Sequence, residues 1–524
     1  MKKTWKSVRL ASPIVGFGAV TGVATALVVV LYKLCAKYAV RGAELGYHFL
    51  REHLWCVPLV LAALGGVAWA LAYVYRRQPN VRGGGIPTSI GILRDQLPFK
   101  WLPTLIGTFV LSLVSFVLGV PLGNEGPSVQ IGTAIGRGTT VLSKRRAAWD
   151  RYAMTGGACA GFAVATGAPI SGVLFAVEEG HRRVSATIFI AAVSSVVCAG
   201  LTSAAVSPMV GVSTALFEPL SPATLSVGQA WLSLAVGAVM GLFAVAFLRY
   251  YQAVNRLMHK TLKPVASVWK IWAVLAATVL AGVCSFSCVS TGHELMHSLL
   301  DGGTAVWVLA IWLVVRVNLT LCANTNGLTG GIFLPLLALG ALVAAMLGEG
   351  VVRLPGMGQE YYTIVLVLGI TGCIAGMMRM PLTAIVFAVE ALSGYDNVLH
   401  IILTAATAFI ITELFKVESI NDSVLENRVA ARYADQPRRT VDTTVTVQEG
   451  SFAVGREIRE ILWPHGVYVL SVKRAHADEE HHGLCVGDVL HVRYTSVKDD
   501  LTRQELITVI GEQVLDEEAA LAEE

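Results

Sequence analysis

Long stretches of this chain carry no charged residue: Leu102 to Asn124, Val184 to Phe217, Pro219 to Leu248 and Asn318 to Gly348. Each exceeds the ~20 residues with which an α-helix crosses a ~30 Å hydrocarbon core. The pattern therefore predicts a polytopic helical membrane protein. Apolar runs continue to about Phe415, and then the pattern changes. Arg428 to Asp442 is short, charged and contains Pro437, as a linker should be. From Thr443 the spacing is that of a soluble α+β unit. Val445 and Val447 alternate with polar residues, Ser451 to Leu462 has helical spacing, and Gly466 to Val472 alternates again. Asp488 to Tyr494 reads as another strand after Gly487, and Leu501 to Ile510 as a last helix. A β-α-β-β-α unit is thus expected within Thr443 to Leu515, followed by a frayed acidic end from Asp516.

Composition sharpens this picture. Hydrophobic residues make up 54% and charged residues 15% of 524, against about 25% charged in ordinary globular chains, and the mean hydropathy is +0.63. These fractions argue against a soluble enzyme of this size. The nine cysteines are scattered, mostly in apolar runs, and read as small buried hydrophobes. Net charge is a modest +4, but Lys2, Lys3, Lys6 and Arg9 precede the first apolar run at Ile14. The positive-inside tendency puts the N-terminus in the cytoplasm. That run continues to Tyr32 without a convincing cleavage site, so a cleavable signal peptide is not expected.

The chain also repeats itself. Pro169 to Glu178 reads PISGVLFAVE and Pro381 to Glu390 reads PLTAIVFAVE, an offset of 212 (381 − 169). Gly123 to Pro127 reads GNEGP and Gly331 to Pro335 reads GIFLP, an offset of 208 (335 − 127), each with a glycine (Gly132, Gly340) five residues past its proline. Two matches at nearly equal offsets argue for two related halves, which in transporters commonly pack as inverted repeats around a midplane site.

Three Gly/Pro-punctuated segments interrupt the apolar helices: Gly83-Gly84-Gly85-Ile86-Pro87, Gly123-Asn124-Glu125-Gly126-Pro127 and Gly331-Ile332-Phe333-Leu334-Pro335. Proline is well tolerated at a helix start, where its missing N–H is not needed. Such starts aim unpaired N–H groups and a positive dipole end forward, and three of them converging would bind an anion. Close helix packing through small residues is the alternative use of these glycines. Glu125 favours the first reading, because no other charge lies between Lys100 and Arg137. A carboxylate in an apolar span is costly unless it is used. At this helix start it would compete with an anion for the same donors and release them when protonated.

With these residues in view, the chain resembles the CLC family of chloride channels and proton-coupled anion antiporters. GGGIP, GNEGP and GIFLP are similar to the family's three anion-pathway motifs in order, and the resemblance covers roughly residues 10 to 435. It implies a mainly α fold of two inverted-repeat halves with broken helices, a homodimer, and an inner-membrane protein with both termini cytoplasmic. Glu125 would be the external gate, and the amides of Ile332 and Phe333 would hold the central anion. Gly83, Gly84, Gly85, Ile86, Asn124, Gly126 and Asn421 complete the implied anion-binding set. Glu179, beside Glu178 at the end of the first repeat, matches the family's inner proton-transfer acid. Its repeat counterpart is Ala391, so the repeat itself does not demand an acid there. The other use of Glu178 and Glu179, beside His181, Arg182 and Arg183, is a solvated helix end with ion pairs. Glu390 reads as a structural acid with an internal partner.

Three positions depart from the family pattern. Gly84 stands where a serine hydroxyl usually touches the anion, Asn421 where a tyrosine is usual, and Asn124 where arginine is common. The implied function is chloride/proton exchange without a cofactor, against a passive chloride channel or a fluoride/proton antiporter. The resemblance implies no catalytic activity, no metal and no nucleic acid. Residues 1–435 form the expected transport domain. Residues 443–515 resemble TrkA-C ligand-binding modules through Glu449-Gly450-Ser451, Gly455 and Gly487-Asp488, which implies regulation by a small ligand such as a cyclic dinucleotide. His476, Asp478, Glu479, His481 and His482 lack a fixed ligand spacing and read as a solvated loop.

Overall fold

The computed structural model describes residues 2–144, 147–182, 185–433, 439–464, 466–475, 483–496 and 499–511. The first half of the chain runs through α1 (Lys2–Glu52), α2 (Val57–Arg77), α3 (Gly85–Leu93), α4 (Trp101–Val117), α5 (Glu125–Leu142), α6 (Asp150–Thr166), α7 (Pro169–Phe175) and α8 (Ala186–Val206). The second runs through α9 (Ala230–Arg256), α10 (Ser267–Cys284), α11 (His293–Leu300), α12 (Val306–Thr325), α13 (Phe333–Val351), α14 (Glu360–Cys373), α15 (Pro381–Ala391) and α16 (Val398–Leu414). Helix α17 (Ile420–Arg432) then leads to β1 (Arg439–Thr446), β2 (Val467–Lys473), β3 (Val489–Ser496) and α18 (Asp499–Ile510).

Nine helical stretches among the described residues are long and apolar enough to cross a membrane. Their outer faces carry exposed Leu31, Leu59, Trp69, Leu201, Val314 and Leu414, as a lipid-facing surface requires. This is a multi-pass membrane protein. Helices α3, α7 and α15 are much shorter, with 9, 7 and 11 residues. At 1.5 Å per residue they are too short to span a ~30 Å core.

The two halves pack alike. Gly132 of α5 lies against Gly157 of α6, where an added Cβ at either glycine would strike the other's carbonyl. In the second half, Gly340 of α13 meets Cys373 and Gly369 of α14. Close packing is thus one use of these glycines. The repeated FAVE glutamates are exchanged between halves. Glu178 accepts from the amides of Leu382 (3.0 Å) and Thr383 (2.7 Å) and from the Thr383 hydroxyl (2.7 Å), at the start of α15. Glu390 accepts from the amides of Ile170 (2.8 Å) and Ser171 (2.9 Å) and from the Ser171 hydroxyl (2.8 Å), at the start of α7. Each carboxylate satisfies the orphan donors of the opposite helix.

The C-terminal unit is an antiparallel sheet of order β1-β3-β2 with α18 beside it. The helix expected over Ser451 to Leu462 is absent, and only a 3₁₀ turn, Ile458–Glu460, forms there. Gly455 adopts φ +80 and its amide donates to Leu484 O at 2.7 Å, which takes this backbone out of helical geometry. The linker expected from Arg428 to Asp442 is likewise shorter. Helix α17 continues to Arg432, β1 begins at Arg439, and Pro437 lies outside the described residues. The unit rests on the start of α6. Arg151 donates to Leu462 O and to Glu505, both at 2.9 Å. The Tyr152 hydroxyl donates to Glu460 O and accepts from the Leu462 amide, both at 3.0 Å. Phe452 packs edge-on to Trp149 at 5.1 Å and stacks on Tyr152 at 5.6 Å. The cluster His476, Asp478, Glu479, His481 and His482 and the acidic end from Asp516 lie outside the described residues.

Candidate functional site

The three Gly/Pro segments come together, each as the lead into a helix. Gly83 takes φ +75, a left-handed conformation suited to glycine, and its amide donates to Gly327 O at 2.9 Å. Gly84 is the extended residue before α3, Glu125 opens α5, and Ile332 precedes α13. Gly123 and Gly331 pair across the halves, each amide donating to the other's carbonyl at 2.7 Å. An added Cβ at Gly85 would land on the Gly126 backbone, and one at Gly126 would lie 2.6 Å from the Gly331 Cα. Glycine is needed at 85 and 126 because three backbones meet there. Gly83, Gly84, Gly85, Ile86, Gly126, Ile332 and Phe333 are all buried, and Asn124 is half-buried. First-turn amides of an α-helix have no intrahelical acceptor, so three sets of free donors and three positive dipole ends are brought to one place.

Glu125 has no solvent exposure. Its carboxylate folds back over Gly123 and faces the amides of its own residue and of Leu334, in the first turn of α13. Neither oxygen makes a full hydrogen bond among the described residues. The cation whose charge bears on it is Lys33 of α1, which donates to Val164 O and Ser213 O at 3.0 Å each. Phe333 stands edge-on to Phe162 (5.2 Å) and Phe387 (5.6 Å), and Phe162 stacks on Phe175 at 5.5 Å. Phe175 and Phe387 are the repeat-related phenylalanines of FAVE, and they brace the α13 start from both halves.

Glu179 lies elsewhere, in a π-helical turn, Ala176–Gly180, and is 1% exposed. It is not a solvated helix end. Its carboxylate accepts from the Asn421 side-chain amide at 2.8 Å, a partner that the sequence does not announce. Arg94 holds the turn by donating to Glu179 O (2.7 Å) and Gly180 O (3.0 Å), and it pairs with Asp422 at 3.5 Å. Arg182 also pairs with Asp422. These ion pairs surround a cavity of about 820 Å³ lined by Arg94, Arg182, Arg379, Glu418, Asp422 and Glu426, among others. A second cavity of about 260 Å³ lies beside α3 and holds Arg82, Thr88, Asn324 and Arg428. Sequence reasoning missed Lys33, Arg94, Phe162 and Asn324. Only Phe175 and Phe387 carried a signal, their place in the repeat.

The voltage gated chloride channel family matches the chain over residues 59–413. The H(+)/Cl(−) exchange transporter ClcA of Klebsiella pneumoniae (strain 342) is 28% identical over 396 residues, 73% of this chain and 81% of the relative. Among solved structures, a slow cyanobacterial Cl−/H+ antiporter superposes with TM-score 0.71 at 24% identity, covering 79% of this chain and 98% of the other. A eukaryotic CLC transporter gives 0.63 at 19% identity, covering 84% and 77%. A CLC-type fluoride/proton antiporter gives 0.61 at 19% identity, covering 77% and 96%.

Proposed function

Since the chain belongs to the voltage gated chloride channel family, we propose that it exchanges chloride for protons across the membrane, with Glu125 as external gate and proton acceptor and Glu179 as inner proton relay. The observation that carries this reading is the presence of two separately buried carboxylates. Glu125 lies against the first turn of α13, and Glu179 is held by Asn421 beside a cavity lined with ionisable groups. A passive pathway needs the first of these and has no use for the second.

The working cycle follows from charge. Ionised Glu125 is an internal anion that occupies the helix-start donors. An arriving halide competes for those donors, and protonation of the displaced side chain removes its attraction to them. Protons reach Glu125 from the inner side through Glu179, and Asn421 orients that carboxylate by donating to it. Exchange results because the gate is neutral when the halide holds the donors and charged when it does not. The protein acts as a homodimer in the inner membrane with both termini cytoplasmic. Residues 443–515 form a regulatory domain for a small ligand such as a cyclic dinucleotide, to be tested by calorimetry on the full-length protein.

Proteoliposomes test the reading. An imposed chloride gradient should drive protons uphill, and Glu125→Gln or Glu179→Gln should abolish proton movement while anion flow continues. Wild-type anion flow without proton movement would mean a passive channel. A fluoride/proton antiporter is favoured by one specific feature, the replacement of two usual halide side-chain ligands by Gly84 and Asn421. Parallel efflux of fluoride and chloride separates the two.

A further inference from the structure

We infer that the side-chain amide of Asn324 is an anion ligand on the inner stretch of the pathway and sets its selectivity, in the role left open by the absence of a side chain at Gly84. The inference rests on the antiporter reading above and deepens it by naming a selectivity residue.

Asn324 lies near the end of α12 and is 6% exposed. Neither its Oδ1 nor its Nδ2 has a hydrogen-bond partner among the described residues. As the carboxamide is placed, its NH₂ has no acceptor and its oxygen no donor among the described residues. Buried side-chain amides are ordinarily bonded, and an unbonded one marks a place where something else supplies the partner. Its position says what that partner is. A Cβ built on Gly84 would lie 3.7 Å from Asn324 Nδ2 and 3.6 Å from Gly330 O. The amide therefore stands where a side chain from position 84 would enter, next to the turn that leads into α13.

The adjoining cavity agrees in sign. Asn324 lines the space of about 260 Å³ together with Arg82, Thr88, His259, Arg428 and Arg432, and no carboxylate among the described residues lines it. Arg82 and Arg428 have no acidic partner among the described residues. Arg82 donates to Asn326 O at 3.3 Å, and Arg428 donates to the Thr88 hydroxyl. Unneutralised guanidinium groups in a narrow cavity raise the local anion concentration. A neutral amide beyond them offers N–H donors without adding charge, so an anion is held and can still leave.

The test uses the full-length protein. Asn324→Leu should weaken chloride binding in detergent calorimetry about tenfold, as loss of a hydrogen bond to an ion does, and should change the chloride-to-nitrate efflux ratio in proteoliposomes. Adding Gly84→Ser to Asn324→Leu should restore part of both. Position 84 is extended, and a Cβ there makes ordinary contacts of 3.5–3.7 Å. Should Asn324→Leu fail to fold, the isosteric Asn324→Asp keeps the question open to measurement and should lower chloride efflux by at least tenfold. Unchanged chloride affinity and efflux ratio in a folded Asn324→Leu, or undiminished efflux in Asn324→Asp, overturns the assignment. A wild-type protein that carries no anion overturns the antiporter reading, and the assignment falls with it.

Discussion

Gly123 and Gly331, 208 residues apart, donate their amides to each other's carbonyls at 2.7 Å in both directions. Glu125 and Phe333 each stand two residues beyond a bridge residue, so one short backbone pairing fixes the Glu125 carboxylate against the helix start it faces. Methyl groups have no room at this junction, since an added Cβ at Gly331 would lie 2.6 Å from the Gly126 amide nitrogen. Gly331→Ala should therefore part the two helix starts. Overpacking of this kind typically costs about 1–3 kcal/mol. Thermal unfolding in detergent should show that loss, and chloride efflux should fall with it; a variant with wild-type efflux would contradict the close approach.

The exchanged glutamates make a symmetrical prediction. Glu178 and Glu390 each accept three hydrogen bonds from the first turn of the opposite half's helix, and both are half-buried. Hydrogen bonds to charged groups contribute roughly 1.5–3 kcal/mol. Glu178→Ala and Glu390→Ala should each lose at least that much, and by similar amounts. Melting temperatures of the two variants measured side by side decide it. A large loss in one and none in the other would mean that the two halves are not equivalent in this respect.

Asp488 in the C-terminal unit gives a pH dependence. Burial pushes its carboxyl up, but the amides of Cys485 (2.9 Å) and Ala475 (3.0 Å) and the Arg474 guanidinium (2.9 Å) outweigh that and hold it below the usual carboxylate range. A carboxyl depressed on folding contributes stability that is fully present above its unfolded value, about 3.9. That contribution is lost as the pH falls through the folded value. Hydrogen exchange in β3 of the full-length protein should thus accelerate as the pH drops below about 4, after correction for intrinsic rates. Asp488→Asn should accelerate it at neutral pH and remove the acid dependence. An acid dependence that survives the substitution would assign it to other groups.

How much of this was legible in the sequence depends on whether a feature is local or made by packing. The broken helices were legible because glycine and proline interrupt apolar stretches at Gly83, Gly123 and Gly331. Glu125 stood out for the same reason, as a lone charge over 36 residues (101–136). Glu179 was legible only through family resemblance, since its neighbours Glu178, His181 and Arg182 suggest a solvated end. Its burial comes from α17 and Arg94, whose positions no local pattern encodes. Asn324 sits in an ordinary polar stretch, Ala323-Asn324-Thr325-Asn326, and only the fold reveals that its amide is unpaired while the Asn326 amide donates to Cys322 O at 2.8 Å. The helix expected over Ser451 to Leu462 failed because apolar spacing cannot see the left-handed Gly455.

Arg151 lies between the C-terminal unit and the turn that carries Glu179. Its guanidinium donates to Leu462 O through Nη1 and to Glu505 through Nη2, and Nη2 also pairs with Asp95 just beyond α3. Asp95 adjoins Arg94, whose guanidinium holds the carbonyls of Glu179 and Gly180. The arginine side chain is 11% exposed, Asp95 18% and Glu505 37%, and losing hydrogen bonds to a charged group costs roughly 1.5–3 kcal/mol. Arg151→Met should therefore loosen the unit from α6, seen as faster hydrogen exchange over residues 499–511 in the full-length protein. Asp95 is the chain neighbour of Arg94, so a shift at Asp95 should pass to the Arg94 guanidinium and to the turn it holds. Proton flux should then fall relative to chloride flux in proteoliposomes, with the anion pathway intact. Faster exchange with an unchanged flux ratio would show that the C-terminal unit is docked without bearing on the proton route.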